Sequence, residues 1–480
     1  MSGVASPRHF WLCAIVLVGC ASGPGATPTN PSTASSGSTT ASAGATPATA
    51  AAPPSSGISP LAPASNWLTF GARLDRRGVV GGGPDPETVV SRWTSPRLDG
   101  AAYGQVLVVG STVIAATEGN SVYGLAVTDG KVLWTTKLGT PMLGSMLPCG
   151  NIDPSGITST PVADPTGATV YVVAFVQPGR HDLVALDTAT GAVQWRHPID
   201  PPGLSPLVEQ QRSALTLANG RVYVAFGGLF GDCGPFKGAV VSRAADGSGD
   251  PVSWIVPTDR QGGIWAPSGP AVDVNGNLYV ATGNAESINT DNFDYGNSVV
   301  RLTPDLMLGD WWAPQDWAEL SATDSDLGSQ GPVLIDAKRM FVAGKAGVGY
   351  ILDPGRLGNI GGETSKLQLC DSAFGGSASN SSLVVVGCSD GLTAATIDGN
   401  GILGASWHAR VGRVGAPIIA GDVVWVSSND GHARAFDVVT GKTLADIRIA
   451  DSLEGFPGTT VTPTAVYVTG TDSVASLGAP

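Results

Sequence analysis

From Asn66 onward, short apolar segments alternate with turns, and one pattern of four such segments recurs along the chain. Apolar and polar positions alternate within many of the segments, which is typical of β-strands. The clearest copies span residues 121–134, 182–195 and 431–441. In these copies a strand runs into a turn that contains Asp and Gly, and the strand after the turn often carries a tryptophan. The pattern predicts a repeated four-stranded antiparallel sheet.

The number of repeats predicts the architecture. Seven complete copies begin near Ala101, Gly156, Ser213, Gly263, Ser325, Phe374 and Val414. An eighth begins near Phe456 and lacks its fourth strand, whereas residues 89–94 form a tryptophan strand upstream of the first copy. A four-stranded repeat of roughly 40–50 residues is typical of a propeller blade. We therefore predict an all-β fold, an eight-bladed β-propeller of four-stranded antiparallel blades whose N-terminal strand closes the last blade.

The fourth-strand tryptophans are expected to pack between neighbouring blades; they are Trp93, Trp134, Trp195, Trp254, Trp311 and Trp407.

Composition supports this interpretation and excludes one class of partner. The 480 residues include 66 glycines and 35 prolines, which favour many turns over long helices. Length alone would predict two or three domains, but a repeat allows one large domain. The net charge of −13 disfavours contact with phosphate backbones, so no nucleic acid is expected as a partner.

The N-terminus carries a predicted export signal. Residues 1–19 contain Arg8 followed by an apolar run, which is shorter than the roughly 20 residues that span a bilayer. The run ends in Leu17-Val18-Gly19-Cys20, which resembles the bacterial lipobox. That resemblance implies lipidation of Cys20 and anchoring at the outer face of the cell membrane. An ordinary cleaved signal peptide or an uncleaved anchor are the alternatives.

Residues 20–65 consist almost wholly of Ala, Ser, Thr, Pro and Gly and carry no charge. Such a segment buries too little apolar area to offset its ordering entropy, so we predict a disordered tether. Residues 66–480 are predicted to form the propeller.

Four cysteines remain beyond the export signal and Cys20, namely Cys149, Cys233, Cys370 and Cys388. An even number outside the cytoplasm predicts two disulfides. Three pairings of the four cysteines are possible. Cys370 and Cys388 are the nearest pair in sequence, so we predict Cys370–Cys388 and Cys149–Cys233. Four buried free thiols are the alternative.

The repeat also resembles a known family. Ala185-Leu186-Asp187-x-x-Thr190-Gly191-x-x-x-Trp195 resembles the repeat of pyrroloquinoline-quinone (PQQ) propellers. Quinoprotein alcohol dehydrogenases and BamB-like outer-membrane assembly lipoproteins share this repeat. The resemblance implies the fold for residues 66–480 and leaves the function open, because one propeller serves enzymes and scaffolds alike.

A second likeness lies in blades three to five, in Gly263-Ile264-Trp265, Thr282-Gly283-Asn284, Asp324-Ser325-Asp326 and Lys345-Ala346-Gly347. These segments resemble the cofactor site of the quinoprotein alcohol dehydrogenases. This likeness implies that Trp265 lies against the PQQ plane and that Asn284 ligates calcium. It also implies calcium-binding and catalytic roles for Asp324 and Asp326, and contact between Lys345 and the quinone oxygens. Asp232 lies where the family has a glutamate ligand.

These residue types suit that chemistry. Calcium takes six to eight hard oxygen ligands, which Asp232, Asn284, Asp324 and Asp326 would supply. Asp326 would act as the general base on an alcohol, and Lys345 would stabilise the developing negative charge. The same residues also have ordinary structural interpretations as a core aromatic, a strand end, a loop and a solvated lysine.

Several features depart from the family. The adjacent-cysteine disulfide is absent, a shorter aspartate replaces the glutamate, and no haem motif occurs. The polar insertion at residues 289–297 is expected to be a solvated loop. Our leading hypothesis from sequence is therefore a tethered module that binds an unknown protein or small molecule at a propeller face. The alternative is an extracytoplasmic dehydrogenase that uses PQQ and calcium on an alcohol or sugar.

Overall fold

The structure, a computed structural model, describes residues 66–453 and 455–480. The predictions for the signal peptide, for Cys20 and for the tether lie outside these residues. Within the described part, the eight-bladed ring is confirmed, and every blade contains four antiparallel strands.

The strands of the first four blades follow the predicted repeat. Their bounds are Leu107–Val109, Thr112–Ala116, Ser121–Ala126 and Val132–Lys137 in blade 1; Val162–Ala163, Thr169–Val176, Arg180–Asp187 and Val193–Pro198 in blade 2; Thr216–Ala218, Arg221–Gly228, Ala239–Ala244 and Val252–Ile255 in blade 3; Ala271–Val272, Leu278–Ala281, Val299–Leu302 and Leu308–Ala313 in blade 4. Glu209–Gln210 adds a short antiparallel pairing to blade 3, and Asn359–Ile360 adds a parallel edge to blade 4.

The remaining blades complete the ring. Their strands are Val333–Leu334, Met340–Ala343, Val348–Leu352 and Ser365–Gln368 in blade 5; Ala373–Ser379, Leu383–Cys388, Gly391–Ile397 and Leu403–Arg410 in blade 6; Ile418–Ala420, Val423–Ser428, His432–Asp437 and Thr443–Arg448 in blade 7; Thr459–Val461, Ala465–Thr469, Val474–Gly478 and Val90–Thr94 in blade 8. The helical elements described are one α-helix, Trp317–Ala322, and three 3-10 turns, Phe70–Ala72, Gly144–Met146 and Leu327–Ser329.

Burial along a blade follows from the stacking of flat sheets. Strand Thr169–Val176 is buried at all but its first position, because neighbouring blades cover both of its faces. Strand Val193–Pro198, at the rim, alternates between exposed and half-buried positions. The sequences of the inner strands are therefore continuous apolar runs, whereas apolar and polar residues alternate in the outer strands.

Tryptophans join neighbouring blades as predicted. The indole of Trp134 in blade 1 covers Gly191 in the Asp-x-x-Thr-Gly turn of blade 2. A Cβ at Gly191 would lie 2.3 Å from the indole, and its φ of +72° also favours glycine. Trp93 covers Gly130 and Trp407 covers Gly441 in the same way.

Ring closure by the N-terminal strand is confirmed. Strand Val90–Thr94 pairs antiparallel with Val474–Gly478, the last strand of the chain. Trp93 also packs against Tyr467, with ring centroids 5.9 Å apart. The first strand of the domain therefore covers the edge that blade 8 would otherwise leave open.

Residues 67–83, which we call the central segment, form an element that the sequence did not predict. This segment lines the inside of the ring and contacts every blade. It includes the strand Val79–Val80, which pairs parallel with Ile418–Ala420 of blade 7. Its backbone forms hydrogen bonds with the innermost strands of six blades. These bonds are made by Trp67, Leu68, Leu74, Asp75, Arg77 and Gly78. Arg76 reaches Thr216 of blade 3, and Gly83 lies against Val461 of blade 8.

Arg76 fixes the central segment from inside the protein. Its side chain is 1% exposed, and burial lowers the pKa of its guanidinium to about 9, against the opposing charge of Asp75. The guanidinium donates hydrogen bonds to Thr69, Phe70, Leu215, Thr216 and Pro270. Because these acceptors are all neutral, the charge is held by oriented dipoles.

Both predicted disulfides are present, Cys149–Cys233 and Cys370–Cys388. They fit an oxidising compartment outside the cytoplasm. Among the described residues, no helix is long and apolar enough to cross a membrane.

Candidate functional site

A cavity of about 540 Å³ opens on one face of the propeller. Its walls come from loops that precede the first strand of a blade or follow the second, and these loops emerge on the same face. The lining includes all six residues predicted to hold a cofactor or metal: Asp232, Trp265, Asn284, Asp324, Asp326 and Lys345. The structure therefore brings the whole predicted set together.

Lys345 and Asp326 form the centre of the set. The Lys345 Nζ contacts the Asp326 carboxylate and lies 3.0 Å from Asp324 Oδ1. Burial opposes the charge on Lys345, but the two carboxylates outweigh it and raise the pKa of its ammonium group. A backbone hydrogen bond of 2.8 Å, from the Lys345 N–H to the Asp326 carbonyl, holds the two loops in register.

Trp265 supplies an aromatic surface beside this ion pair. Its indole is half-buried, and the Lys345 Nζ lies 5.6 Å from the ring centroid. Gly283 leaves room for both groups, since a Cβ there would lie 2.3 Å from Asp326 Oδ1 and 3.1 Å from the Trp265 Nε1. The glycine of Thr282-Gly283-Asn284 is thus required by the close approach of these side chains.

Asn284 joins the two aspartates. Its backbone N–H donates to Asp326 Oδ1 at 2.7 Å, and its side-chain amide donates to Asp324 Oδ1 at 2.9 Å. The Asn284 Oδ1 accepts a hydrogen bond from Asn297 Nδ2 at 3.1 Å. Asn284 therefore orients both carboxylates, and Asn297 in turn orients the Asn284 side chain.

Asn297 is a positioning residue that sequence reasoning missed. We expected residues 289–297 to be a solvated loop, but Asn297 is fully buried. Its Oδ1 accepts the Leu327 N–H at 2.8 Å, next to Asp326, while its amide also reaches Ser321 and the Trp317 carbonyl. Its φ of +48° lies in the left-handed region, which is sparsely populated by residues other than glycine. No sequence pattern predicted this backbone conformation.

The same insertion is partly core because its aromatic residues pack inward. Phe293 stacks on Trp311 with centroids 4.3 Å apart, and Asp294 is buried against Thr258. The expectation of a solvated loop is therefore wrong for Phe293, Asp294 and Asn297.

Asp232 lies on the cavity rim beside the Cys149–Cys233 disulfide. Burial raises the pKa of the Asp232 carboxyl, and the like charges of Asp326 and Asp324 raise it further. The carboxylates on this side of the cavity therefore carry more negative charge than Lys345 neutralises, and a cation there would relieve that excess.

The donor set suits calcium in chemistry, since it consists of carboxylate and amide oxygens. In residues 66–453 and 455–480, no three His, Cys, Asp or Glu side chains meet in a metal-binding arrangement. Asp324 and Asp326 face Lys345 instead, so a metal would need these carboxylates to turn. The calcium assignment stays a prediction.

Glu209 is a buried carboxyl beside the cavity, one residue before Gln210 of its lining. Its Oε1 accepts the Lys237 N–H at 3.1 Å, while its Oε2 has no partner among the described residues. Burial raises the pKa of Glu209 from 4.5 to about 8. The folded protein therefore holds a proton at this site that the unfolded chain releases.

We expect this proton to make the free energy of unfolding fall as pH rises from 4.5 to about 8. A carboxyl whose pKa is raised by folding stabilises the folded state fully at pH values below its unfolded pKa of 4.5. That stabilisation is lost as the pH rises to the folded pKa of about 8. Glu209→Gln mimics the protonated form and should raise the free energy of unfolding at pH 8 by on the order of 2 kcal/mol. Thermal melts across the pH range measure this, with exposed Glu87→Gln as control. Identical pH profiles for wild type and Glu209→Gln would refute it.

Comparison with known proteins agrees with the fold. Residues 85–228 match the family described as outer membrane protein assembly factor BamB. A polyvinylalcohol dehydrogenase of Sphingopyxis sp. (strain 113P3) is 26% identical over 425 residues, covering 72% of this chain and 61% of that protein. The chain thus spans less than two thirds of the length of that relative.

Two solved structures have similar folds. The quinohemoprotein alcohol dehydrogenase from Comamonas testosteroni superposes with a TM-score of 0.69 at 15% identity, covering 87% of this chain and 81% of that one. BamB from Moraxella catarrhalis superposes with a TM-score of 0.56 at 15% identity, covering 81% and 99%. The fold and repeat define an eight-bladed β-propeller. The chain is similar to PQQ-type propeller proteins in its repeat and in its fold.

Proposed function

We propose that this protein is an extracytoplasmic PQQ-dependent dehydrogenase that oxidises an alcohol. The observation that carries the proposal is the convergence of Trp265, Asn284, Asp326 and Lys345 in one cavity. The names of the relatives, both alcohol-oxidising enzymes, support it over a binding or assembly module, which was our leading hypothesis from sequence.

The cavity offers each contact that a flat, tricarboxylate quinone requires. Trp265 provides a face for stacking, and Lys345 provides a cation beside it. The oxygens of Asp232, Asn284, Asp324 and Asp326 would hold calcium after Lys345 releases the carboxylates. When bound, PQQ supplies a two-electron acceptor and calcium a Lewis acid.

The chain's own residues would then handle the proton and the charge. Asp326 is mostly buried, and its Oδ1 accepts the Asn284 N–H at 2.7 Å, so its carboxylate is oriented without Lys345. We assign it as the general base that removes the hydroxyl proton of the alcohol. Lys345 would stabilise the negative charge that develops on the neighbouring oxygen.

A binding titration tests the proposal. We expect desalted wild type to retain PQQ only when calcium is present, with quenching of tryptophan fluorescence and dye reduction on addition of an alcohol. Trp265→Leu should weaken retention about tenfold or more, because the stacking face is lost. Trp254→Leu, half-buried in the outer strand of blade 3, is the matched control.

Wild type that retains no PQQ, with or without calcium, would end the dehydrogenase proposal. The binding or assembly module would then become the favoured function, on the strength of the match to the BamB family. Its partner would be an unknown protein or small molecule at a propeller face.

The location follows from the same proposal. We propose that Cys20 is lipidated and anchors the protein at the outer face of the cell membrane, as the lipobox resemblance implies. Electrons would leave through a separate acceptor, since the sequence has no haem motif.

A further inference from the structure

A second polar cluster lines the cavity away from the aspartates. Phe456, which precedes the first strand of blade 8, lies at its centre. The guanidinium carbon of Arg212 is 5.5 Å from the Phe456 ring centroid, and that of Arg413 is 5.6 Å from it. Phe374 stacks on the same ring, with centroids 5.6 Å apart.

These side chains come from distant parts of the ring. Arg212 precedes blade 3 and Arg413 precedes blade 7, and in an eight-bladed ring these blades lie opposite each other. Both guanidiniums nonetheless reach Phe456, so they converge towards the axis of the propeller. Arg212 and Phe456 also line a narrow space of about 30 Å³ that leads to Phe70 of the central segment. The cluster therefore forms the inner end of the cavity.

Neither guanidinium has an ion-pair partner within the described part of the chain. Most other arginines in the cavity wall or the blades have one; Arg260 pairs with Glu286 and Arg434 with Asp430. Burial lowers the pKa of Arg212, although the charges of Tyr103 and Glu118 oppose the shift. Arg212 is half-buried, whereas Arg413 is exposed. For Arg212, a partly desolvated cation without a carboxylate partner is costly unless a ligand supplies one.

Glu118 does not supply that partner. Its carboxyl accepts the Gly156 N–H at 2.5 Å, and burial raises its pKa to about 7. It is therefore only partly ionised near neutral pH. Among residues 66–453 and 455–480, no ion pair neutralises the positive charge at the inner end of the cavity.

The cavity is consequently polar from end to end. Carboxylates gather on the side of blades 3 to 5, and the two arginines gather around Phe456 of blade 8, which faces blade 4 across the axis. A ligand that carries carboxylates at one end and cation-binding oxygens at the other matches this distribution.

We propose that Arg212 and Arg413 form a carboxylate clamp that holds the acid groups of a bound molecule at the inner end of the cavity. Arginine suits this role because its planar fork binds carboxylate through two parallel hydrogen bonds. Two sources of the carboxylates fit the geometry, PQQ itself or an acidic alcohol substrate. The PQQ source rests on the proposed function, whereas the clamp itself does not.

Binding measurements on the full chain test the clamp. Arg212→Gln, Arg413→Gln and the double variant are compared with Arg448→Gln, which lies on the surface outside the cavity. The probes are PQQ, its neutral trimethyl ester and benzene-1,3,5-tricarboxylate, each measured by calorimetry with and without calcium. Melting temperatures show whether each variant folds, and Arg212→Lys and Arg413→Lys replace any glutamine variant that does not.

We expect each single variant to weaken PQQ binding about tenfold and the double variant about a hundredfold, because each loses a charge-assisted pair. Arg448→Gln should bind as wild type does. The trimethyl ester should bind weakly to wild type and show no dependence on the two arginines.

The arms separate this proposal from the proposed function. If PQQ does not bind but the benzene tricarboxylate binds through Arg212 and Arg413, the clamp stands and the PQQ proposal fails. If PQQ affinity is unchanged but the KM of a hydroxy acid rises relative to its neutral diol, the clamp serves the substrate. If folded variants change neither PQQ affinity nor that KM ratio, or wild type binds no carboxylate probe, the clamp is overturned.

Discussion

Replacing Asp326 by asparagine is expected to slow PQQ-dependent dye reduction by about a thousandfold, the range in which a lost general base acts. Asparagine has nearly the same shape and can still accept the Asn284 N–H, which lies 2.7 Å from Asp326 Oδ1. The variant therefore loses the charge and the basic oxygen while the loop keeps its main hydrogen bond. Steady-state rates at saturating PQQ and calcium measure the effect.

Two controls separate the loss of a general base from other causes of a slower rate. Asp336→Asn removes a surface carboxylate that pairs with Arg339 outside the cavity, and its rate should match wild type. PQQ retention by Asp326→Asn should stay measurable, which separates a lost base from a lost cofactor. A folded, PQQ-loaded Asp326→Asn protein with more than a tenth of the wild-type rate would remove Asp326 from the role of base.

Removal of the N-terminal elements should have the largest effect on stability. A chain that begins at Pro96 lacks both the central segment and the strand Val90–Thr94. We expect it to aggregate without a cooperative unfolding transition, because the edge of Val474–Gly478 is left unpaired. A chain that begins at Asp85 keeps the closing strand and should fold with a free energy of unfolding lower by several kcal/mol.

Thermal and urea unfolding of these two chains, beside one that begins at Asn66, measure the two contributions separately. Arg76→Leu in the longest chain tests whether the central segment acts through its buried guanidinium, since it removes the charge and all of its hydrogen bonds. If the chain that begins at Pro96 unfolds cooperatively at the wild-type temperature, ring closure does not stabilise the propeller as we infer.

The cofactor-type residues were predicted because short segments of blades three to five resemble the cofactor site of the quinoprotein alcohol dehydrogenases. The propeller brings the loops that carry Trp265, Asn284, Asp326 and Lys345 together at one cavity. Asn297 escaped notice, since its role depends on a left-handed backbone and on contacts with two other loops. The calcium assignment stays a prediction, and in this structure Asp324 and Asp326 contact Lys345.

The sequence by itself determined the blades, their number and their closure. Those features depend on local patterns: apolar alternation makes strands, Gly191 and its equivalents accept a neighbouring tryptophan, and residues 89–94 match the strand that blade 8 lacks. Only the tertiary structure decided the path of the central segment and the convergence of Arg212 and Arg413 on Phe456. These contacts join residues with no shared period or spacing, and closing the ring is what brings them together.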